Sequence, residues 1–233
     1  MITLVLLPGM DGTGQLFDPF IAALGQEFDL KVVRYPTTEA LGYSELEAVA
    51  RSALPAEQPF VLLGESFSGP IAISIAASAP RNLQGLILCC TFARNPRPFF
   101  SALRPVIGLV PVDIAPMRVL NHLLLGSFST SALQAALAKS LAQVSASALR
   151  ARLAAVLDVD VSAKLPAIKV PTLYLRASRD RLVPRSAAEP VAQFVPGVRI
   201  TELDAPHFLL QAIPAESAQM IRLFVHEVAA QQH

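Results

Sequence analysis

The run VLLGESFSG, Val61 to Gly69, places a serine where a short apolar stretch gives way to a longer one. Gly64 and Ser68 flank it at a distance of two, and Gly69 follows. A strand that turns into a helix across Gly-x-Ser-x-small strains the serine backbone and demands small neighbours. It throws the side chain out at the carboxyl end of a sheet, where the helix dipole and free N–H groups favour a developing anion. A hydroxyl so presented suits attack on an acyl carbon, and Ser66 is the candidate nucleophile. The strict pattern ends in glycine where this chain has Ser68, a residue still small enough for close helix–strand approach. The plainer alternative is a strand-to-helix turn with a capping serine.

A serine hydroxyl needs a base, and the base needs a carboxylate to orient it. The chain has four histidines. His233 is the last residue, His226 lies in an amphipathic helical pattern, and His122 lies among leucines. His207, in LDAPHFLLQAIP, follows a strand-like run in a proline-containing loop, on the sheet edge where Ser66 is expected. Asp180, in LYLRASRDRLVP, lies just beyond the preceding strand-like run on that same edge. Asp204 ranks second as the acid, although it lies close to His207 in the same turn; Asp158 and Asp160, in the insertion and its exit, follow. For the oxyanion, LLPGMDGTG leaves the first strand with Gly9, Gly12 and Gly14. Its glycines allow backbone N–H groups to turn inward, and the expected donors are the N–H groups of Met10 and Phe67. A dinucleotide loop fits less well. The glycines read G-x-x-G-x-G, and no acid for a ribose follows VVRYPTT.

The elements that must position these residues alternate. ITLVLLPG, DLKVVRYP, PFVLLGE, LQGLILCCTF, VPTLYLRAS and VRITELD read as six strands, mostly near-continuous apolar runs. Between and after them QLFDPFIAALGQEF, SELEAVARSAL (opened by a Ser44 cap), SGPIAISIAASA, RSAAEPVAQFV and ESAQMIRLFVHEVAAQ read as helices. This alternation predicts a doubly wound, mainly parallel α/β sheet covered on both faces. Residues 93–164 break it: a proline-rich start (Pro96 to Pro116, Pro111 included), then helical patterning without a strand. The expected organisation is a core of residues 1–92 and 165–233 with a helical insertion, 93–164, over one end of the sheet. Phe99, Phe100, Ile107, Leu109 and Leu123 to Leu125 are its candidates for an apolar pocket.

Composition narrows the classes. With 53% hydrophobic and 16% charged residues, the chain has ample material for a core, and a net charge of +1 gives no footprint for nucleic acid or an anionic membrane. No segment reads as membrane-spanning, and the N-terminus lacks a signal-peptide pattern. The two cysteines, Cys89 and Cys90, are adjacent; in a strand their side chains are expected to diverge. They read as small core residues in a reducing compartment, and the expected location is cytoplasmic. No Cys/His spacing suits a metal, and no organic cofactor is implied.

LLPGMDGTG, LLGESFSG, LRASRDRLVP and APHFLL occur in the order and contexts of the α/β-hydrolase family, which the chain resembles throughout apart from the insertion. The nucleophile–acid–base order also matches that family. The resemblance implies the α/β-hydrolase fold lacking its usual first two strands, with a cap where 93–164 lie. It departs at Pro8-Gly9, where a His-Gly pair is common, and Ser66 excludes the aspartate nucleophile of the family's dehalogenases. The implied activity is cleavage of a carboxylic ester or thioester of a small to medium apolar molecule through an acyl-enzyme. Acyl transfer to an alcohol or carrier, and a non-catalytic ligand-binding role on the same fold, are the alternatives.

Overall fold

The computed structural model describes residues 2–109 and 116–230, with Leu103 and 105–109 described by backbone alone. Pro111 and His233 lie outside the described residues. Six strands form one sheet: β1 (Thr3–Leu7), β2 (Asp29–Val32), β3 (Phe60–Glu65), β4 (Leu83–Cys89), β5 (Thr172–Ala177) and β6 (Arg199–Leu203). Their order is β2-β1-β3-β4-β5-β6, and every neighbouring pair is parallel. Every residue of β1 and β3 is buried, as strands covered on both faces must be, whereas the edge strands β2 and β6 alternate with exposed positions.

Helices α1 (Asp18–Leu24) and α9 (Pro214–Ala230) cover one face through Phe20, Leu24, Ile221 and Phe224. Helices α2 (Tyr43–Ser52), α3 (Gly69–Ala77) and α7 (Glu189–Phe194) cover the other. Helix α3 is buried from Gly69 to Ala76, which accounts for its lack of a polar stripe. The chain leaves β1 toward β2, then crosses back so that β3 lies on the other side of β1. At such a switch point the loops leaving the two carboxyl ends diverge and open a crevice. Because Leu7 pairs with Gly64, the loop after β1 and the turn after β3 flank that crevice.

Between β4 and β5 the described residues form a 3₁₀ run (Pro98–Leu109), α4 (Met117–Leu124), α5 (Ser131–Leu141), α6 (Ala146–Asp158) and a second 3₁₀ run (Ser162–Ala167). Thr130 and Ser145 cap α5 and α6, their hydroxyls accepting the N–H groups of Leu133 and Ala148 at 3.2 Å. The two ends of the segment meet: Val161 N–H donates to the Ala93 carbonyl at 2.8 Å, and Asn95 N–H to that of Val159 at 2.9 Å.

Three local expectations change. Helix α2 begins at Tyr43, so Ser44 is inside it; the cap is Gly42, whose N–H donates to Glu45 Oε2 at 3.2 Å. Helix α1 stops at Leu24 because Gly25 turns left-handed at φ 69°. The cysteines do not diverge. Strand β4 ends at Cys89, and Cys90 takes φ 46°, which breaks the alternation. Both thiols are free and buried, and they lie in the same core cluster.

Candidate active site

Ser66 follows β3 directly, at φ 48°, in a 3₁₀ turn (Ser66–Ser68) that runs into α3. This left-handed backbone is the strain expected of a serine at such a turn. The small neighbours are sterically required. A Cβ on Gly64 would lie 2.6 Å from Ala72 Cβ, and one on Gly69 would lie 1.8 Å from Thr91 Oγ1. Thr91 cannot move away freely, because its hydroxyl donates to the Ser66 carbonyl and so fixes the strained turn. Gly69→Ala is therefore expected to lower the unfolding free energy by about 2–3 kcal/mol. Urea denaturation reads this directly, and a wild-type midpoint would contradict it.

Ser66 Oγ lies 2.8 Å from His207 Nε2, and His207 Nδ1 lies 2.7 Å from Asp180 Oδ2. The three residues come from the turns after β3, β6 and β5, converging on the carboxyl edge of the sheet. Asp180 is held by its own turn, with Oδ1 accepting the N–H groups of Leu182 and Val183 at 2.8 and 2.9 Å. Its second oxygen is thus left to the imidazole. Phe208 N–H donates to the Leu124 carbonyl at 3.0 Å, tying the His207 loop to the end of α4. Burial opposes a charged imidazole at His207. The Asp180 carboxylate, its hydrogen bond and the Glu65 carboxylate outweigh that and raise the pKa above its ordinary value.

The rival residues are occupied elsewhere. Asp204 is exposed, with Arg179 2.6 and 2.7 Å from its two oxygens. Asp158 pairs with Arg104, and Asp160 accepts the Ser162 N–H at 2.9 Å. His226 pairs with Glu27, and the His122 carbonyl accepts from Arg181.

The loop after β1 folds into a turn in which Gly12 N–H donates to the Gly9 carbonyl at 3.1 Å, with Met10 at its second position. Asp11 braces it from within: Oδ2 accepts from Thr13 N–H (2.9 Å), Thr13 Oγ1 (2.6 Å) and Ser140 Oγ of α5 (2.7 Å). Arg152 of α6, fully buried, braces it from the insertion. Its Nη1 donates to the carbonyls of Met10 (2.8 Å) and Asp11 (2.9 Å), and its Nη2 to that of Pro36 (2.8 Å). Ser68, at the position where glycine is usual, joins this loop to the serine turn. Its hydroxyl donates to the Pro8 carbonyl and accepts from Tyr35 at 2.8 Å. Phe67, the residue after Ser66, is buried, its ring stacked on Tyr43 with centroids 4.7 Å apart.

Sequence reasoning passed over Arg152, Tyr35, Ser140 and Thr91. An arginine within RARLAAVLDV was the only visible sign, and its partners are carbonyls, which leave no trace in a pattern of residue types. Among the expected pocket residues, Leu125 is fully buried. Phe99 is 88% exposed and Phe100 48% exposed, so neither walls an enclosed space. The side chains of Ile107 and Leu109 lie outside the described residues. A cleft of about 430 Å³ is lined by Thr13, Gln15, Arg34, Tyr35 and Gln143 among others, and by none of Ser66, Asp180 and His207. Among the described residues no group of three or more His, Cys, Asp or Glu side chains could hold a metal ion. No described helix is long and apolar enough to cross a membrane.

A family model described as serine aminopeptidase, S33, matches residues 45–205, more than half of the chain. Among curated relatives, phytyl ester synthase 1, chloroplastic, of Arabidopsis thaliana is 32% identical over 122 residues, 48% of this chain. That match spans only 17% of the relative's own length. Pyrrolizixenacetamide deacetylase of Xenorhabdus hominickii is 25% identical over 191 residues, 77% of this chain and 70% of the relative. Among solved structures, a hydrolase from Pseudomonas aeruginosa PA01 superposes with a TM-score of 0.81 at 21% identity, covering 96% of this chain and 89% of the other.

Proposed function

The chain belongs to the serine aminopeptidase S33 family of α/β-hydrolases, and from that premise we propose that it is a serine hydrolase acting on carboxylic esters or thioesters of small to medium apolar molecules. The observation that carries this reading is the unbroken line from Ser66 Oγ through the His207 ring to Asp180, at 2.8 and 2.7 Å. In the proposed reaction, Ser66 Oγ bonds to the acyl carbon while its proton passes to His207 Nε2. Asp180 accepts a hydrogen bond from His207 Nδ1–H, which stays on the ring, and so orients and stabilises the imidazolium. The N–H groups of Met10 and Phe67 receive the tetrahedral oxyanion; losing one such donor typically costs about 3 kcal/mol of transition-state stabilisation. Collapse breaks the carbonyl–leaving-group bond, and the departing alcohol or thiol takes the proton from Nε2. Water then attacks the acyl carbon as Nε2 takes its proton, and the Oγ–acyl bond breaks to release the acid as Ser66 Oγ recovers that proton. The helical segment 93–164 acts as a cap that shapes the acyl site through Leu124 and Leu125, where α4 meets the His207 loop.

Hydrolysis of short p-nitrophenyl esters by wild type and Ser66→Ala tests the reading; equal turnover by both overturns it. The pH profile gives a second check. His207 must be neutral to take the serine proton, and its environment stabilises the charged ring beyond that of free imidazole. Below its raised pKa the ring is protonated and inactive. The acidic limb of kcat/KM is therefore expected at a midpoint above the 6.5 of an unperturbed histidine, and a midpoint at or below that value counts against the assignment.

The likeness to phytyl ester synthase 1 favours one further reading, transfer of the acyl group to an alcohol. The same acyl-enzyme serves both, and exclusion of water decides the outcome. The ratio of ester to acid formed when an acceptor alcohol competes with water separates the two.

A further inference from the structure

Glu65, the residue before Ser66, is buried at 6% exposure, and no step above uses it. Its carboxyl touches the loops on either side of the serine turn. Oε1 accepts the Gln211 side-chain amide at 2.8 Å, and Gln211 belongs to α8 (Leu209–Ala212), directly after the His207 loop. The other oxygen, Oε2, lies beside Gly9, the residue before Met10, where a Cβ would stand 3.7 Å from it. One side chain thus spans the loop expected to hold the oxyanion and the loop that carries the imidazole. We propose that Glu65 is a positioning residue that braces Gly9 and the Gln211 end of the His207 loop beside Ser66 and gives the His207 imidazolium a second negative partner. This rests on the serine-hydrolase reading of the site.

The charges around Glu65 make its effect dependent on pH. Asp11 faces it from the loop after β1 and His207 from the loop after β6. The Cys89 and Cys90 thiols face it from the end of β4. Asp180 stands at the other nitrogen of the imidazole, and Arg152 on the far end of the Met10 peptide. Burial pushes the carboxyl up to about 7, against the Gln211 hydrogen bond; Asp11 raises it further, while His207 and the Gly9 backbone draw it down. As pH falls through that range Glu65 takes up a proton and its support of the imidazolium is lost. The two groups then titrate as a pair. Gln211 accommodates either form, because its buried Oε1 has no partner among the described residues and can accept from a protonated carboxyl after the amide rotates.

The same rotation lets Glu65→Gln keep its hydrogen bond to Gln211 while removing the charge, so this variant isolates the electrostatic part. Its His207 ring signals, followed by NMR without substrate, are expected to titrate about one pH unit lower than in wild type. The acidic limb of kcat/KM moves down with them, and the plateau kcat falls about tenfold because the imidazolium formed during attack loses a partner. A role confined to packing would leave the titration in place, and superimposable His207 curves overturn the proposal. In wild type, the ¹³C signal of the Glu65 carboxyl is expected to titrate in the same two-step pattern as His207; a single independent step overturns it without any variant. Failure of the serine-hydrolase reading appears separately, as activity retained by Ser66→Ala, and does not alter these substrate-free titrations.

Discussion

Ser66→Ala is expected to lower kcat on a short p-nitrophenyl ester by about 10⁶-fold, with thermal stability close to wild type. The magnitude follows from what the hydroxyl would do. Without Oγ no acyl-enzyme forms, and the imidazole 2.8 Å away has only water to activate. His207→Ala is expected to cost nearly as much, and the double variant little more, because residues that act as a unit are grossly non-additive. Ser66 is only half-buried, and removing its hydroxyl opens no large cavity, so the loss is chemical rather than structural. Single-turnover assays with mass-spectrometric detection of the acylated serine provide the measurement. A loss below tenfold, or an acyl group trapped on another residue, would remove Ser66 from its assigned role.

The second large effect concerns stability. Arg152→Met keeps most of the apolar stem and removes a guanidinium that is fully buried and donates to three backbone carbonyls, those of Met10, Asp11 and Pro36. A buried acceptor deprived of its donor costs about 1–3 kcal/mol, and partial relaxation prevents the three from adding in full. We expect a loss of about 3–4 kcal/mol in unfolding free energy, read by urea denaturation at constant m. The guanidinium packs so closely on the loop that a Cβ on Gly12 would lie 2.7 Å from its Nη1. Activity should fall as well, by about 10²-fold in kcat, because the Met10 peptide loses the donor on its carbonyl side and its N–H drifts from the oxyanion position. Arg152→Lys should fall between the two, since an ammonium supplies a point charge rather than a fork matched to several carbonyls. Wild-type stability in Arg152→Met would mean that water or a neighbouring group satisfies these carbonyls. This arrangement also bears on the insertion: α6 is fastened to the loop after β1, so this part cannot lift from the core without stripping the same carbonyls of their donor.

The amino-acid sequence by itself determined the layered architecture. Strands buried on both faces must be apolar without interruption, and the period of the pattern then changes visibly at each helix. The six strands and their parallel direction follow from that, and the Gly-x-Ser-x-small pattern adds the sharp turn at Ser66; the order of the strands in the sheet came from the structure. What failed was local and had a local cause. Ser44 is a good capping residue, but the helix starts two residues earlier than it would cap, with the Gly42 N–H donating to Glu45, and Cys90 leaves the strand geometry that would have separated it from Cys89.

Tertiary structure alone decided which groups hold the site in place. Arg152 and Ser140 reach the loop after β1 from a segment more than a hundred residues away, and Glu65 spans two loops to which its neighbours in sequence give no clue. Arg152 donates to backbone carbonyls, Ser140 donates to the Asp11 carboxylate, and Glu65 accepts from the Gln211 amide. Every residue carries such backbone groups, so no pattern of side-chain types records which ones are used. Hydrophobic periodicity is written along the chain because each element must bury a face; polar contacts at a site are fixed only when folding brings distant loops within about 3 Å of one another.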